Sequence, residues 1–428
     1  MKQSTKVKNR WFIAASAVGI HIAIGTIYAK SVITLPIKEL VGWTKPEISI
    51  GFSIAIAFLG LSAAFLGKVV EQKGPRFAGT LAAFFYGAGI IGTGLSLQLA
   101  SLPLFYLTYG ILSGIGLGLG YIAPVSTLIK WFPDRRGMAT GLAIMGFGFA
   151  ALIFGPLMNY LFGTIGVVNT FYGLGVLYFV MMVSSASYLE VPPDGWEPES
   201  NGNVDKTKTR VIEKDLAQLT AMEAVKTPRF YYLWLMLFIN ITCGIAVISV
   251  ASPMAQQLTN MTPSSAALMV GLMGAFNGLG RIGWASLSDS LGRPLTYTIF
   301  FTIQIPLFFI LSSVTDPIIF SIIILIILSC YGGGFSSIPA FIGDVFGTKE
   351  LARIHGFMLT AWASAGIVGP TLASWVSTRT GSYAGTMSIF GCLFIVAFII
   401  SIITMVSIKK SKAESLDQAV MGNELPIS

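Results

Sequence analysis

Apolar residues run through this chain in blocks far longer than the stripe of a soluble amphipathic helix. A helix that crosses a membrane needs about 20 consecutive, mostly apolar residues. Such blocks fall near residues 11–36, 47–67, 77–98, 103–129, 138–163 and 167–189. They resume near 230–255, 263–287, 294–314, 317–343, 354–377 and 383–408. The pattern predicts an all-α membrane protein of twelve transmembrane helices, here called spans 1 to 12. The expected organisation is an N-terminal six-helix bundle over 1–190, a linker over 191–228, a C-terminal six-helix bundle over 229–410 and a tail over 411–428. The linker opens with Pro192, Pro193, Asp194 and Gly195 and carries Lys206, Lys208, Arg210 and Lys214. With no sustained apolar face, it reads as a hydrophilic connection on one membrane surface. The tail after Lys412 reads as disordered.

Composition agrees: 54% of the 428 residues are hydrophobic and only 11% are charged, against roughly 25% in a soluble protein. The net charge of +8 raises nucleic acid as a partner, but the charges sit in short segments between apolar blocks and build no basic domain. They act instead as topology signals. Of the 27 Lys and Arg, 22 fall on the side of the N-terminus, the linker and the tail; only Lys38, Lys45 and Arg379 fall on the other, and Lys30 and Arg281 lie inside spans. By the positive-inside rule both termini are expected in the cytoplasm, in a multi-pass protein of the plasma membrane. The block after Lys8 and Arg10 is too long for a signal-peptide core and lacks a cleavage site, so it reads as span 1. Cys243, Cys330 and Cys392 stand far apart inside apolar blocks and read as buried small hydrophobes.

The two halves echo each other. Gly67, Glu71, Gly74 and Arg76 follow span 2, and Asp289, Gly292 and Arg293 follow span 8, with Glu71 and Asp289 separated by 218 residues. Phe132 after span 4 and Phe346 after span 10 are 214 apart. Span 4 carries Gly118, Tyr121 and Pro124, and span 10 carries Gly333, Phe335 and Pro339. Matches at nearly one offset indicate a duplicated six-helix unit. A carboxylate at a helix end can cap a facing helix N-terminus and pair with Arg; the plainer reading is a topology-setting turn. The Gly/acid/Gly/Arg pattern between spans 2 and 3 resembles that of the major facilitator superfamily, although Ala285 replaces the first glycine in the second copy. The resemblance implies two pseudo-symmetric six-helix bundles rocking about a central site.

Ionisable residues inside a membrane are costly and are functional candidates by default. The predicted spans hold Arg281, Lys30 and His21, and no Asp or Glu well inside. Arg281 stands about eight residues, or ~12 Å of helix, from Asp289. It either snorkels or binds an anion, and a carboxylate fits its fork. Asn277, four residues earlier, shares its helix face. Lys30 is an interfacial lysine or a second positive group, a gate or coupling residue at the mouth. His21 is a packing residue or a polar cavity group, and stands with Lys30 as a coupling or gate candidate. Tyr121, Tyr331 and Phe335 line Gly-rich helix and are packing or pocket. His21 and His355 are expected at different depths, with no metal or nucleophile constellation. No Walker-type loop is present, which points away from ATP drive, and no cofactor or required protein partner is expected.

Lys30 with its neighbours, and the Asn277/Arg281 pair, resemble the span 1 lysine and the span 8 acid/arginine pair of proton-coupled monocarboxylate transporters. The oxalate/formate antiporter branch has the same arginine. Asn277 stands where animal carriers have Asp, and Trp362 stands where the oxalate carrier has a second central lysine. The resemblance implies secondary transport of a small monoanion such as lactate or pyruvate, coupled to protons. Exchange of organic anions and a non-transporting anion sensor are the alternatives.

Overall fold

The computed structural model describes residues 7–193, 195–198 and 215–423. Asp194, Lys206, Lys208, Arg210 and Lys214 of the linker lie outside the described residues. Every regular element among the described residues is helical, and eleven segments are long and apolar enough to cross a membrane. One of them, Lys45–Gln98, has 54 residues. At 1.5 Å per residue it would measure about 80 Å, more than twice a bilayer core. It holds two spans, because at Gly74 the backbone turns to φ 81° and ψ 164°, a region that residues with a Cβ avoid. The same turn recurs at Gly292, with φ 84° and ψ 146°. Twelve spans result, and the sequence repeat is also a backbone repeat.

Span 1 runs as Arg10–Gly25, a tight 3-10 turn at Thr26–Ala29, and Lys30–Val41. Span 4 is Leu102–Phe105, a π-helical Tyr106–Leu112 and Ser113–Trp131. Spans 5 to 10 are Arg136–Thr164, Val167–Tyr188, Pro228–Thr259, Pro263–Leu291, Arg293–Leu311 and Pro317–Phe346. Leu351–Met358 and Thr360–Thr380 make span 11, and Ala384–Asn423 makes span 12. Spans 7, 8 and 10 each start at a capping side chain followed by Pro: Thr227, Thr262 and Asp316 accept bonds from the first-turn amides. Two expectations change here. The segment after Lys412 continues as helix to Asn423, because Ala413, Leu416 and Ala419 favour helix and the weak formers Gly422 and Asn423 come only at its end. Cys392 is exposed while Cys243 and Cys330 are buried; an apolar block does not say which helix face meets lipid.

The twelve spans pack as two bundles, spans 1–6 and 7–12. Lys8 lies against Tyr188 and Glu190, and Arg229 against Ser407. Both described ends of the chain and both ends of the linker therefore share one face, the linker face. There the halves are zipped together by small residues. A Cβ on Gly137 would collide with the Ala285 carbonyl, and one on Gly141 would lie 2.6 Å from the Arg281 carbonyl. Gly148 ends this contact of spans 5 and 8, its Cβ position lying 3.1 Å from the Gly278 Cα. Spans 2 and 11 close likewise, at Gly67 against Arg353 and Gly356 against Ala63. Such approach of backbones is what small residues permit in membranes.

Towards the far face the zipper opens. On span 8 the stripe that meets span 5 through Asp289, Ala285 and Gly278 continues through Gly274, Gly271 and Ala267, all of them exposed. A Cβ on Gly271 or Gly274 would touch nothing. Leu152, the continuation on span 5, is 56% exposed. The structure is thus closed at the linker face and splayed at the far face. With the native cysteines replaced by Ser, Gly274→Cys should react with a water-soluble maleimide from the far face, and Ala285→Cys should stay protected. Equal labelling of the two would contradict this state.

Candidate functional site

Arg281 is fully buried, ten residues or about 15 Å from the linker-face end of span 8. Three neighbours make room for it. Gly148 of span 5 leaves space beside its Cδ and Nε, Gly332 lets span 10 press against Asn277, and Gly280 admits Ser329. Its own carbonyl accepts a bond from the Ser336 hydroxyl at 2.7 Å. The guanidinium Nε donates to Asn277 Oδ1 at 3.2 Å. Nη1 reaches across to the other half and donates to the Ile144 carbonyl at 3.3 Å. Nη2 is buried with no partner, and among the described residues Arg281 makes no ion pair.

Around it stand aromatic rings from both halves. The guanidinium carbon lies 5.0 Å from the Phe335 ring centre and 5.9 Å from that of Phe147. Tyr28, Tyr121 and Phe147 come from spans 1, 4 and 5; Tyr331, Phe335 and Trp362 come from spans 10 and 11. Tyr121 packs on Phe335 and Trp362 at 5.7 Å each. Tyr28 packs on Phe147 at 4.8 Å, with Arg281, Tyr331 and Trp362 as polar neighbours. The hydroxyls of Tyr28, Tyr121 and Tyr331 and the Trp362 Nε1 are all buried and unpartnered. A cation, three phenols and an indole N–H therefore converge on one place, close to one another around the Tyr28 hydroxyl but without a well-formed hydrogen bond among them, which is unusual in a folded interior. By contrast, a cavity of about 470 Å³ opens at the linker face beside Arg136, Asp289, Arg293 and Asp344. Those charges are already paired with one another.

Asn277, Tyr121, Tyr331 and Phe335 thus assemble with Arg281. Lys30 does not: it is half-buried after the 3-10 turn, its Nζ 4.9 Å above the Phe52 ring. His21 packs on Tyr121 at 5.3 Å, and so does His355 at 5.6 Å. This corrects the expectation that the two histidines sit at different depths, since one tyrosine ring bridges them. Tyr28, Phe147, Trp362 and His355 were not singled out as site residues. A spacing of seven residues could have flagged three of them: His21 and Tyr28 share one face of span 1, and His355 and Trp362 one face of span 11. Phe147 carries no such signal.

The paired loop motifs sit at the linker face and act crosswise. Asp289, from the second half, accepts bonds from the Gly137 and Met138 amides at 2.8 and 2.9 Å, capping span 5 of the first. Glu71, from the first half, accepts from the Ala352 amide at 2.8 Å, capping span 11 of the second. Each carboxylate meets a helix N-terminus where the dipole favours it. Arg293 pairs with Asp289 at 2.5 Å and with Asp344 at 3.1 Å. Glu71 pairs with Lys130 at 3.1 Å, whereas Arg76 turns outward to Glu190 at 3.5 Å. Gly67 admits Arg353, and Gly74 and Gly292 make the turns. Arg136 joins Asp344 at 2.9 Å and Asp215 of the linker at 2.5 Å. The linker residues Leu216 and Leu219 bond to the backbone of Asp344 and Phe346. No group of metal-binding side chains occurs among the described residues.

The sequence profile of the Major Facilitator Superfamily matches residues 14–370. The oxalate:formate antiporter of Oxalobacter formigenes is 28% identical over 379 residues, covering 87% of this chain and 86% of that protein. Monocarboxylate transporter 14 of Mus musculus is 21% identical over 92% of this chain and 89% of its own length. Among solved structures, a transporter named FucP, in the outward conformation, superposes with a TM-score of 0.72 at 15% identity, over 91% of this chain and 98% of that one.

Replacing Asp289 by Asn removes the charge that holds both span 5 amides and Arg293. Hydrogen bonds to charged groups contribute about 1.5–3 kcal/mol each. Asp289→Asn should therefore favour opening of the linker face and raise maleimide labelling of Ala285→Cys roughly tenfold. Unchanged labelling would remove the gate role from this carboxylate.

Proposed function

We propose that this chain, which belongs to the Major Facilitator Superfamily, carries a small monocarboxylate such as lactate or pyruvate across the plasma membrane together with a proton. The observation that carries this reading is the buried, unpaired Arg281. A guanidinium in a low-dielectric interior needs a counter-charge, and no protein carboxylate supplies one among the described residues. A planar carboxylate matches its fork.

Asn277 holds Nε in place. The incoming carboxylate takes the free Nη2 and competes with the Ile144 carbonyl for Nη1, the one bond through which Arg281 grips the opposite half. Substrate binding is thereby tied to the contact between the halves. The hydroxyls of Tyr28, Tyr121 and Tyr331 and the Trp362 N–H supply donors for the second carboxylate oxygen and for a 2-hydroxyl. Phe147 and Phe335 give apolar walls for a methyl group. The Lys/Arg bias puts the linker face in the cytoplasm, so the described state is closed to the inside and splayed at its outer end, with Arg281 still buried. Return to the inward state needs the carboxylate caps at Asp289 and Glu71 to release. Lys30, beside Phe52, stands on the far-face side as an entry group.

Anion exchange is a second reading, favoured by the similarity to the oxalate:formate antiporter. A dianion such as oxalate wants two central cations, and the second position is Trp362, which lies against Phe335 at 4.9 Å. The test is radiolabelled L-lactate uptake into proteoliposomes with and without an inward proton gradient. Accumulation should follow the gradient and be lost with Arg281→Gln in protein that still inserts and purifies normally. Unlabelled oxalate should compete at least about tenfold less well than pyruvate, the step that roughly 1.4 kcal/mol of lost pairing produces. Exchange that ignores the gradient, or undiminished uptake by Arg281→Gln, would overturn the proposal.

A further inference from the structure

The chain has two histidines, and anion binding at Arg281 uses neither. Both are buried inside spans. His21 Nδ1 stands 2.9 Å from the Ala17 carbonyl. A carbonyl only accepts, so Nδ1 carries the hydrogen and Nε2 presents a bare lone pair. That Nε2 is buried without a partner, and so are both ring nitrogens of His355 and the Tyr121 hydroxyl between them. Three groups that exchange protons thus meet with their hydrogen-bonding capacity unused.

Their placement adds the second argument. His21 and Tyr121 belong to the first half and His355 to the second, so the cluster exists only while spans 2 and 11 are zipped, with Gly356 against Ala63. Gly356, next to His355, lies level with Ala63, eight residues or about 12 Å from Glu71, just as Arg281 stands eight residues from Asp289. The cluster therefore lies at about the depth of the anion site, where the two halves meet. The charged or titratable groups acting on the cluster are Arg281 on His21 and Tyr121, His21 on His355, and Tyr28 and Tyr297 on Tyr121. Span 2 meets Gly356 with the uncharged Ala63 and Ala64, and its Glu71 caps the Ala352 amide, three residues before His355.

We propose that His21 and His355, meeting across Tyr121, form the binding site of the co-transported proton. The proposal rests on the monocarboxylate reading and deepens it. An imidazolium on His21 is repelled by Arg281 while the guanidinium lacks a counter-ion. A bound carboxylate neutralises Arg281 and removes that repulsion. Anion and proton then favour each other's binding by the same factor, as linkage requires. The proton comes from water on the far-face side, rests on an imidazole nitrogen, and leaves to water at the linker face when the zipper opens and His355 parts from Tyr121. No bond other than N–H is made or broken.

With only two histidines in the chain, ¹⁵N-histidine labelling of protein purified through a histidine-free tag reports on these rings alone. In nanodiscs, titration between about pH 5 and pH 8 should show at least one imidazole taking up a proton, with a larger protonated fraction when L-lactate or pyruvate is added. Two rings that stay neutral throughout, with and without the anions, would overturn the proposal whatever the cargo. In proteoliposomes, His355→Gln should lower gradient-driven lactate accumulation relative to its own lactate exchange at equal pH by roughly tenfold. A variant whose ratio matches wild type also overturns it. Failure of the wild type to move lactate would instead fall on the function proposed above, leaving the nuclear magnetic resonance result to decide the proton site.

Discussion

A positive charge buried without a negative one is the constraint around which the rest of the molecule is arranged. Arg281 sits near the middle of span 8, and moving a guanidinium to that depth costs several kcal/mol unless something answers its charge. Here the answers are partial: one amide oxygen, one backbone carbonyl from the opposite half and two aromatic faces. Each is neutral, so each lowers the cost and leaves the charge. The charge is left without a counter-ion among the described residues, which is the gap the proposed carboxylate would fill. Gly148, Gly280 and Gly332 bring three helices close enough to hold the side chain in one orientation, so little reorganisation remains for the moment of binding.

The second constraint is that the halves must both hold and let go. The contacts that close the linker face are backbone approaches at glycines, plus two carboxylates that each cap a helix of the other half. Glycine contacts are numerous and individually weak, and the caps are few and strong. A gate built this way is bistable rather than soft: separating the halves by a small amount loses both caps at once. The linker adds a third strand of attachment, since Asp215 and Asp344 share Arg136. Arg281 belongs to this system too, because its Nη1 grips Ile144 of the first half.

Much of the fold was legible in the sequence, since spans are set by composition over about 20 residues and a charge bias needs no tertiary knowledge. The kink at Gly74 was legible through its repeat at Gly292. Arg281 and Asn277 were legible because an ionisable residue in an apolar block stands out. Tyr28 and Trp362 carry only the weak signal of a seven-residue spacing from His21 and His355, and Phe147 carries none, because aromatic residues fill membrane bundles everywhere. The histidine pair was missed for a related reason. His21 and His355 are far apart in sequence, and their meeting depends on Tyr121 reaching between spans from different halves. Helix after Lys412 is not evident from the segment's polarity, although its local residues favour helix.

If Arg281 is the binding group for a carboxylate, as proposed, the thermal midpoint of the purified protein will register it. The midpoint is measured with L-lactate and with lactamide, its uncharged isostere, for wild type and Arg281→Gln. Ligand that binds only the folded state raises the midpoint. The midpoint should rise for wild type with lactate, and should not rise with lactamide or for Arg281→Gln with either. Equal stabilisation by lactamide, or lactate binding that survives Arg281→Gln, would contradict it.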